Sequence, residues 1–228
     1  EDYHDLLPLV DLGQDILEGE WSKDGGGFVT KELKTNSWLR LPVEPGEAYK
    51  LRAAFSTDRG NVSFVLPFAS KGLEIVLSTN RVVACLKQLN DPTNPTAVTP
   101  IAFNDAKRHE TVIEVTRPSA TDVKITVSVD GAPALQWQGT RSQLQSIDAR
   151  QGLAPMLSVG SFLPVNSPMR LLEAQLTTTQ GAVKLLRGAT TNVDTPATVA
   201  AWLLENKKLA KIRIEIDGRI QYAPPVPT

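Results

Sequence analysis

Asp122-Val-Lys-Ile-Thr-Val-Ser-Val-Asp-Gly-Ala-Pro-Ala-Leu-Gln-Trp137 decides the fold. Val123, Ile125, Val127 and Val129 alternate with Lys124, Thr126, Ser128 and Asp130. That period of two belongs to a strand with one buried face. Asp130-Gly131 supplies the positive-φ residues of a tight turn, and Leu135 and Trp137 open the return strand. The stretch is a β-hairpin and names a β-protein, but it carries no chemistry of its own.

The same pattern extends in both directions. Tyr49, Leu51, Ala53 and Phe55 alternate with Lys50, Arg52, Ala54 and Ser56, whereas Val62-Ser-Phe-Val-Leu-Pro-Phe68 is nearly all apolar and reads as a more fully buried strand. Leu73–Leu77 and Arg81–Leu86 form a hairpin over Ser78-Thr-Asn80, and Arg108–Thr116 pairs with Val123–Val129. Ser37–Leu41, Leu157–Gly160 and Arg170–Thr178 add further strands, and residues 140–152 hold a short helical turn. About ten to twelve short strands separated by turn signals make a sandwich or barrel.

Three regions follow. Residues 1–19 are an N-terminal strap with one helical turn, residues 20–180 the sandwich, and residues 181–228 a helix and hairpin. Asp194 or Thr195 caps the helix, Pro196 sits in its first turn, Val199, Trp202 and Leu203 share a face, and Asn206 ends it. Lys211–Tyr222 turns at Asp217-Gly218. A unit this small is expected to dock on the sandwich. The proline-rich stretch from 88 to 100 is the longest loop.

Composition excludes little. Twenty-four basic against 25 acidic side chains leave a net charge of −1, which offers no broad attraction for nucleic acid or anionic lipid. No run approaches the ~18 apolar residues of a membrane span. A single cysteine, Cys85, forms no intramolecular disulfide and no cysteine-based zinc cluster, and its strand context reads as a buried inert thiol. The chain starts at Glu1 rather than at a methionine, as in a processed form or an excised piece.

Several elements, taken in order, carry a resemblance. They are Asp5-Leu-Leu7, Gly19-Glu-Trp21 with its glycine-rich turn, the Tyr49–Phe55 strand, Gly60-Asn61, the Val123–Gly131 strand and turn, Trp137, and Gly160 followed by Ala174-Gln-Leu176. Over about residues 5–180 the chain resembles the concanavalin A-like jelly roll of lectins, laminin-G-like modules and laminarinase-type glucanases. Within that group it is similar to 3-keto-disaccharide hydrolase-like domains and to modules attached to planctomycete protein kinases. The resemblance implies a jelly-roll β-sandwich and a glycan or polysaccharide partner. It does not carry the family's catalysis. The glucanase Glu-x-Asp-x-x-Glu motif is absent, and Gly60-Asn-Val-Ser63 keeps only the first half of the hydrolase-like Gly-Asn-Ser-Gly.

Glycoside hydrolysis needs two carboxylates about 5 Å apart for retention or about 6.5–9.5 Å for inversion. Glu74, Glu114, Asp130 and Glu173 face away from the core, and Glu114 with Glu173 is the pair a sheet would bring together, while Asp130 belongs to its turn. His4 and His109 are too far apart in sequence for a metal or nucleophile cluster, and no Gly-x-Ser-x-Gly elbow occurs. Asp91, Asn94, Asn104 and Asp105 fit no compact calcium loop. No cofactor is expected, with calcium the one left open. Sugar binding asks only for an aromatic platform and a few polar side chains. Trp21 and Trp137 fall at core positions, so Trp38, beside Asn36, is the platform candidate, and the turn Asp58-Arg59-Gly60-Asn61 offers Asp58, Arg59 and Asn61 at a sheet rim.

The function expected is therefore a non-catalytic carbohydrate-binding or adhesion-type module of an exported bacterial protein, extracellular, periplasmic or at the cell surface. Two alternatives stand beside it. One is a divergent glycoside hydrolase of the 3-keto-disaccharide hydrolase-like group, using Glu114 and Glu173. The other is an extracellular protein-interaction or sensor module of a larger receptor, with a protein partner. No nucleic acid and no membrane insertion are expected.

Overall fold

The computed structural model describes residues 3–31, 36–58, 60–68, 71–78, 83–87, 106–144, 156–161, 168–187, 212–214 and 220–222. Its chain divides into two compact units, residues 1–189 and 190–228. In the first unit the strands begin with β1 (His4–Asp5), β2 (Ile16–Glu18), β3 (Trp21–Asp24), β4 (Gly27–Thr30), β5 (Ser37–Arg40) and β6 (Val43–Glu44). They continue with β7 (Ala48–Ser56), β8 (Asn61–Phe68), β9 (Lys71–Ser78), β10 (Val83–Lys87), β11 (His109–Thr116) and β12 (Asp122–Val129). The last four are β13 (Ala132–Thr140), β14 (Ser158–Ser161), β15 (Arg170–Gln180) and β16 (Lys184–Leu185). In the second unit β17 (Ile212–Ile214) pairs antiparallel with β18 (Ile220–Tyr222), where the second hairpin was expected. The expected helix at 194–206, the turn at 217–218 and the loop at 88–100 lie outside the described residues.

Two antiparallel sheets face each other. One runs β13-β12-β11-β7-β15-β4-β3, with β1 added beside β15, and the other runs β10-β9-β8-β14-β5-β2. Neighbours distant in sequence, such as β7 beside β15 and β14 between β5 and β8, make this a jelly-roll β-sandwich. The N-terminal strap contributes a strand to each sheet, β1 to the first and β2 to the second. Between these strands lies the expected helical turn, α1 (Leu12–Asp15), whose start is capped by the Asp11 carboxylate accepting from Gly13 N–H.

The deciding hairpin forms as its alternation requires. Val123, Ile125, Val127 and Val129 are buried while their intervening neighbours are only half-buried. Asp130 and Gly131 take φ values of 50° and 79°, the two positive angles of a type I′ turn. The return strand starts earlier than Leu135, at Ala132, and a bulge near Val127 restores the register that sets Trp137 opposite Ile125. Trp137 and Trp21 are buried in the core, as their positions imply. Leu39, Leu51, Phe55, Phe64, Ile75, Ile113 and Leu176 fill the space between the sheets with no exposed surface. Each such side chain contributes about 1.5–3 kcal/mol by leaving water.

Candidate functional site

Trp38 is not a platform. Alternation along β5 sends Leu39 into the main core and Trp38 to the opposite face, yet Trp38 is only 2% exposed and packs with Val65 and Leu17 in a second small cluster. Gly160 on β14 lies opposite it, and a Cβ at that position would collide with the Trp38 ring and the Ser37 carbonyl. The surrounding face of the second sheet is closed as well, because Ser63, Val65, Glu74, Val76 and Ser158 are all buried. Asn61 shares this face two residues before Ser63 and is buried too, while Asp58 is exposed in the preceding turn. Arg59 lies outside the described residues. Of these candidates Trp38 and Asn61 are thus closed to a sugar, and Asp58 is exposed.

Glu114 and Glu173 both lie on the outer side of the first sheet, but its register separates them. Glu114 stands opposite Lys50 on β7, whereas Glu173 stands opposite Ala54. Four residues along one strand and two strand spacings across the sheet place them about 16 Å apart. That exceeds both carboxylate separations used in glycoside hydrolysis. Glu173 instead pairs with Arg108 and lies 3.8 Å from Arg52, which bonds Glu110 at 2.6 Å. The Arg52 bond holds the Glu110 carboxyl below its ordinary value. Asp130 serves its turn, accepting from Glu110 N–H at 2.9 Å and standing 2.7 Å from His109 Nδ1.

An open concavity lies at one end of the sandwich. There β5 and β8 finish, β7 begins, and β11, β13 and β15 end, because antiparallel pairing brings alternate strand termini together. The cavity has a volume of about 720 Å³, within the size range of small-molecule sites. Among the described residues its polar lining is Arg40, Arg117, Arg141, Glu44 and Glu47, and Tyr49, Pro67 and Phe68 supply apolar surface. Arg40 is already engaged, donating from Nε to the buried Asp15 carboxylate at 2.7 Å. Glu44 is held by Lys184 at 3.1 Å across the β6–β16 pair. Arg141 sits in the expected helical turn after β13, which a capping box at Thr140 and Gln143 closes.

Tyr49 and Arg117 differ from these. Burial raises the Tyr49 phenol far above its ordinary value and keeps it protonated. Its Oη finds no hydrogen-bond partner among the described residues. Arg117 has a side chain only 7% exposed, and its carboxylate partner among the described residues, Glu47, stands 3.8 Å away. None of these lining residues was singled out from sequence, since they are scattered from Arg40 to Leu186 and only the topology gathers them.

No protein-family model matches this sequence, and no curated protein matches it either. Among solved structures, the metal-free carbohydrate recognition domain of Emp46p is similar with a TM-score of 0.53 at 14% identity, covering 76% of this chain and 95% of that one. The apo Crh5 transglycosylase is similar with a TM-score of 0.54 at 14% identity, covering 79% of this chain and 85% of that one. At these identities the likeness is one of fold, and it agrees with the concanavalin A-like jelly roll that the order of elements resembles.

Proposed function

We propose that this chain is a non-catalytic carbohydrate-binding module whose site is the cavity at the end of the sandwich. The observation that carries this is the cavity's lining. Guanidinium and carboxylate groups suited to sugar hydroxyls surround a wall of apolar residues in which Pro67 is the part-exposed one and Tyr49 and Phe68 are buried behind it. The fold is shared with a carbohydrate recognition domain and with a transglycosylase, which supports a glycan as the partner class. The non-catalytic part rests on the separation of Glu114 from Glu173. The narrower kinship with 3-keto-disaccharide hydrolase-like domains belongs to the same proposal, with the Gly60-Asn61 remnant as its support.

A glycan array probed with the purified chain tests it. Saturable binding to one glycan class, weakened by Arg141→Ala and retained by Trp38→Phe, is the expected outcome. A blank array from a chain shown folded by circular dichroism would refute it, as would binding indifferent to Arg141→Ala.

A further inference from the structure

Arg117, in the wall of the end cavity, has partners that fall short of its needs. Its Nε is buried and finds no hydrogen-bond partner among the described residues. One Nη reaches the Ala120 carbonyl only at 3.5 Å, and Glu47 stands 3.8 Å off with 60% of its own side chain in solvent. A guanidinium that is nine-tenths buried usually takes several charge-assisted hydrogen bonds, because removing it from water without them is unfavourable. The fold keeps this one at the wall of an open concavity whose lining includes two further arginines, Arg40 and Arg141.

We propose that the cavity recognises the carboxylate of an acidic sugar, a uronic acid unit of a glycan, with Arg117 as the group that binds the anion. The inference rests on the carbohydrate-binding role proposed above and specifies its ligand. A guanidinium presents Nε–H and one Nη–H along a single edge, spaced to meet both oxygens of a carboxylate at once. Nε has no partner among the described residues, and a carboxylate meeting this edge would supply one in place of the long contacts that Nη2 makes with Ala120 and Glu47. Tyr49, a neutral protonated phenol in the same wall, adds no negative charge to oppose the anion. Arg40 and Arg141 reinforce the field, and Glu44, already held by Lys184, opposes it least.

Three probes separate this inference from the one beneath it: trigalacturonate, its methyl ester, and neutral maltotriose, each titrated calorimetrically into the purified chain. The acid is expected to bind at least about tenfold more tightly than its ester, the range of a charge-assisted hydrogen-bond pair. Equal affinity for acid and ester, or preference for maltotriose, would overturn the acidic-sugar inference and leave the carbohydrate role standing. Binding of none of the three would overturn the inference, and a blank glycan array would then remove the broader role as well.

Variants add a second readout. Arg117→Lys, which keeps the charge and loses the two-donor edge, is expected to reduce affinity for the acid about tenfold. Arg117→Met is expected to abolish the difference between acid and ester while melting no lower than the unmodified chain, since it removes a poorly paired buried charge. A lower melting point with the acid preference intact would make Arg117 a structural residue and refute the assignment.

Discussion

Asp15, in the helical turn of the N-terminal strap, is fully buried and bonds Arg187, 172 positions later, which donates from one Nη to Asp15 Oδ1 at 2.8 Å and from the other to Oδ2. Arg40 Nε donates to Oδ1 at 2.7 Å and Asp11 N–H to Oδ2 at 2.9 Å. One carboxylate thereby fastens the strap, β5 and the last described segment of the first unit. Breaking a buried pair by neutralising one partner leaves the arginines uncompensated, at a cost of about 3–5 kcal/mol. Asp15→Asn is expected to lower stability by that order in urea unfolding followed by tryptophan fluorescence.

The same site sets a pH dependence. Burial alone would raise the Asp15 carboxyl, but the bonds from Arg187, Asp11 N–H and Arg40 outweigh it and hold the group below its ordinary 3.8. A carboxyl depressed in the folded state contributes stability that is fully present above its unfolded value. That contribution is lost as pH falls through the folded value. Stability should therefore be level at neutral pH and decline below about pH 4. Asp15→Asn should flatten that decline. An equally steep acid limb in the variant would refute the assignment.

Surface pairing on the first sheet gives a contrast. Arg52 and Glu110 bond at 2.6 Å, yet their side chains are 46% and 36% exposed. Solvent screening limits such pairs to about 0–1 kcal/mol. Glu110→Gln is expected to shift the urea midpoint little and to matter less as salt rises.

How far the sequence reveals the structure depends on whether a feature is local. The Val123–Trp137 hairpin and the Tyr49–Phe55 strand follow from alternation, because a strand's period of two reports which face is buried. Trp38, taken as a platform because it stands beside Asn36 and because Trp21 and Trp137 fall at core positions, misleads. Alternation sets it opposite Leu39, and a face turned from the core of a two-layer sandwich ordinarily meets water. The available clue is Val62–Phe68, whose lack of alternation marks a strand buried on both sides, with Val65 and Trp38 on its second covered face. The end cavity and the Asp15–Arg187 bond leave no such trace, since Arg40, Arg117 and Arg141 reach one cavity, and Arg187 reaches Asp15, only through the order of strands in the sheets.

The contact between Gly160 and Trp38 gives the last test, because it separates a structural tryptophan from a sugar platform. Gly160 is buried on β14, and any Cβ there meets the indole ring and the Ser37 carbonyl of the neighbouring strand. The carbonyl is backbone and cannot swing aside, so the strand pair itself must yield. Gly160→Ala is therefore expected to destabilise the chain by about 1–3 kcal/mol, the range of overpacked cores. Trp38→Ala, which empties the same space, should cost about 3–5 kcal/mol. In both variants glycan affinity measured well below the melting temperature should stay within about twofold of the unmodified chain, since distant sites act nearly independently. A loss of binding with the fold intact would return Trp38 to the site.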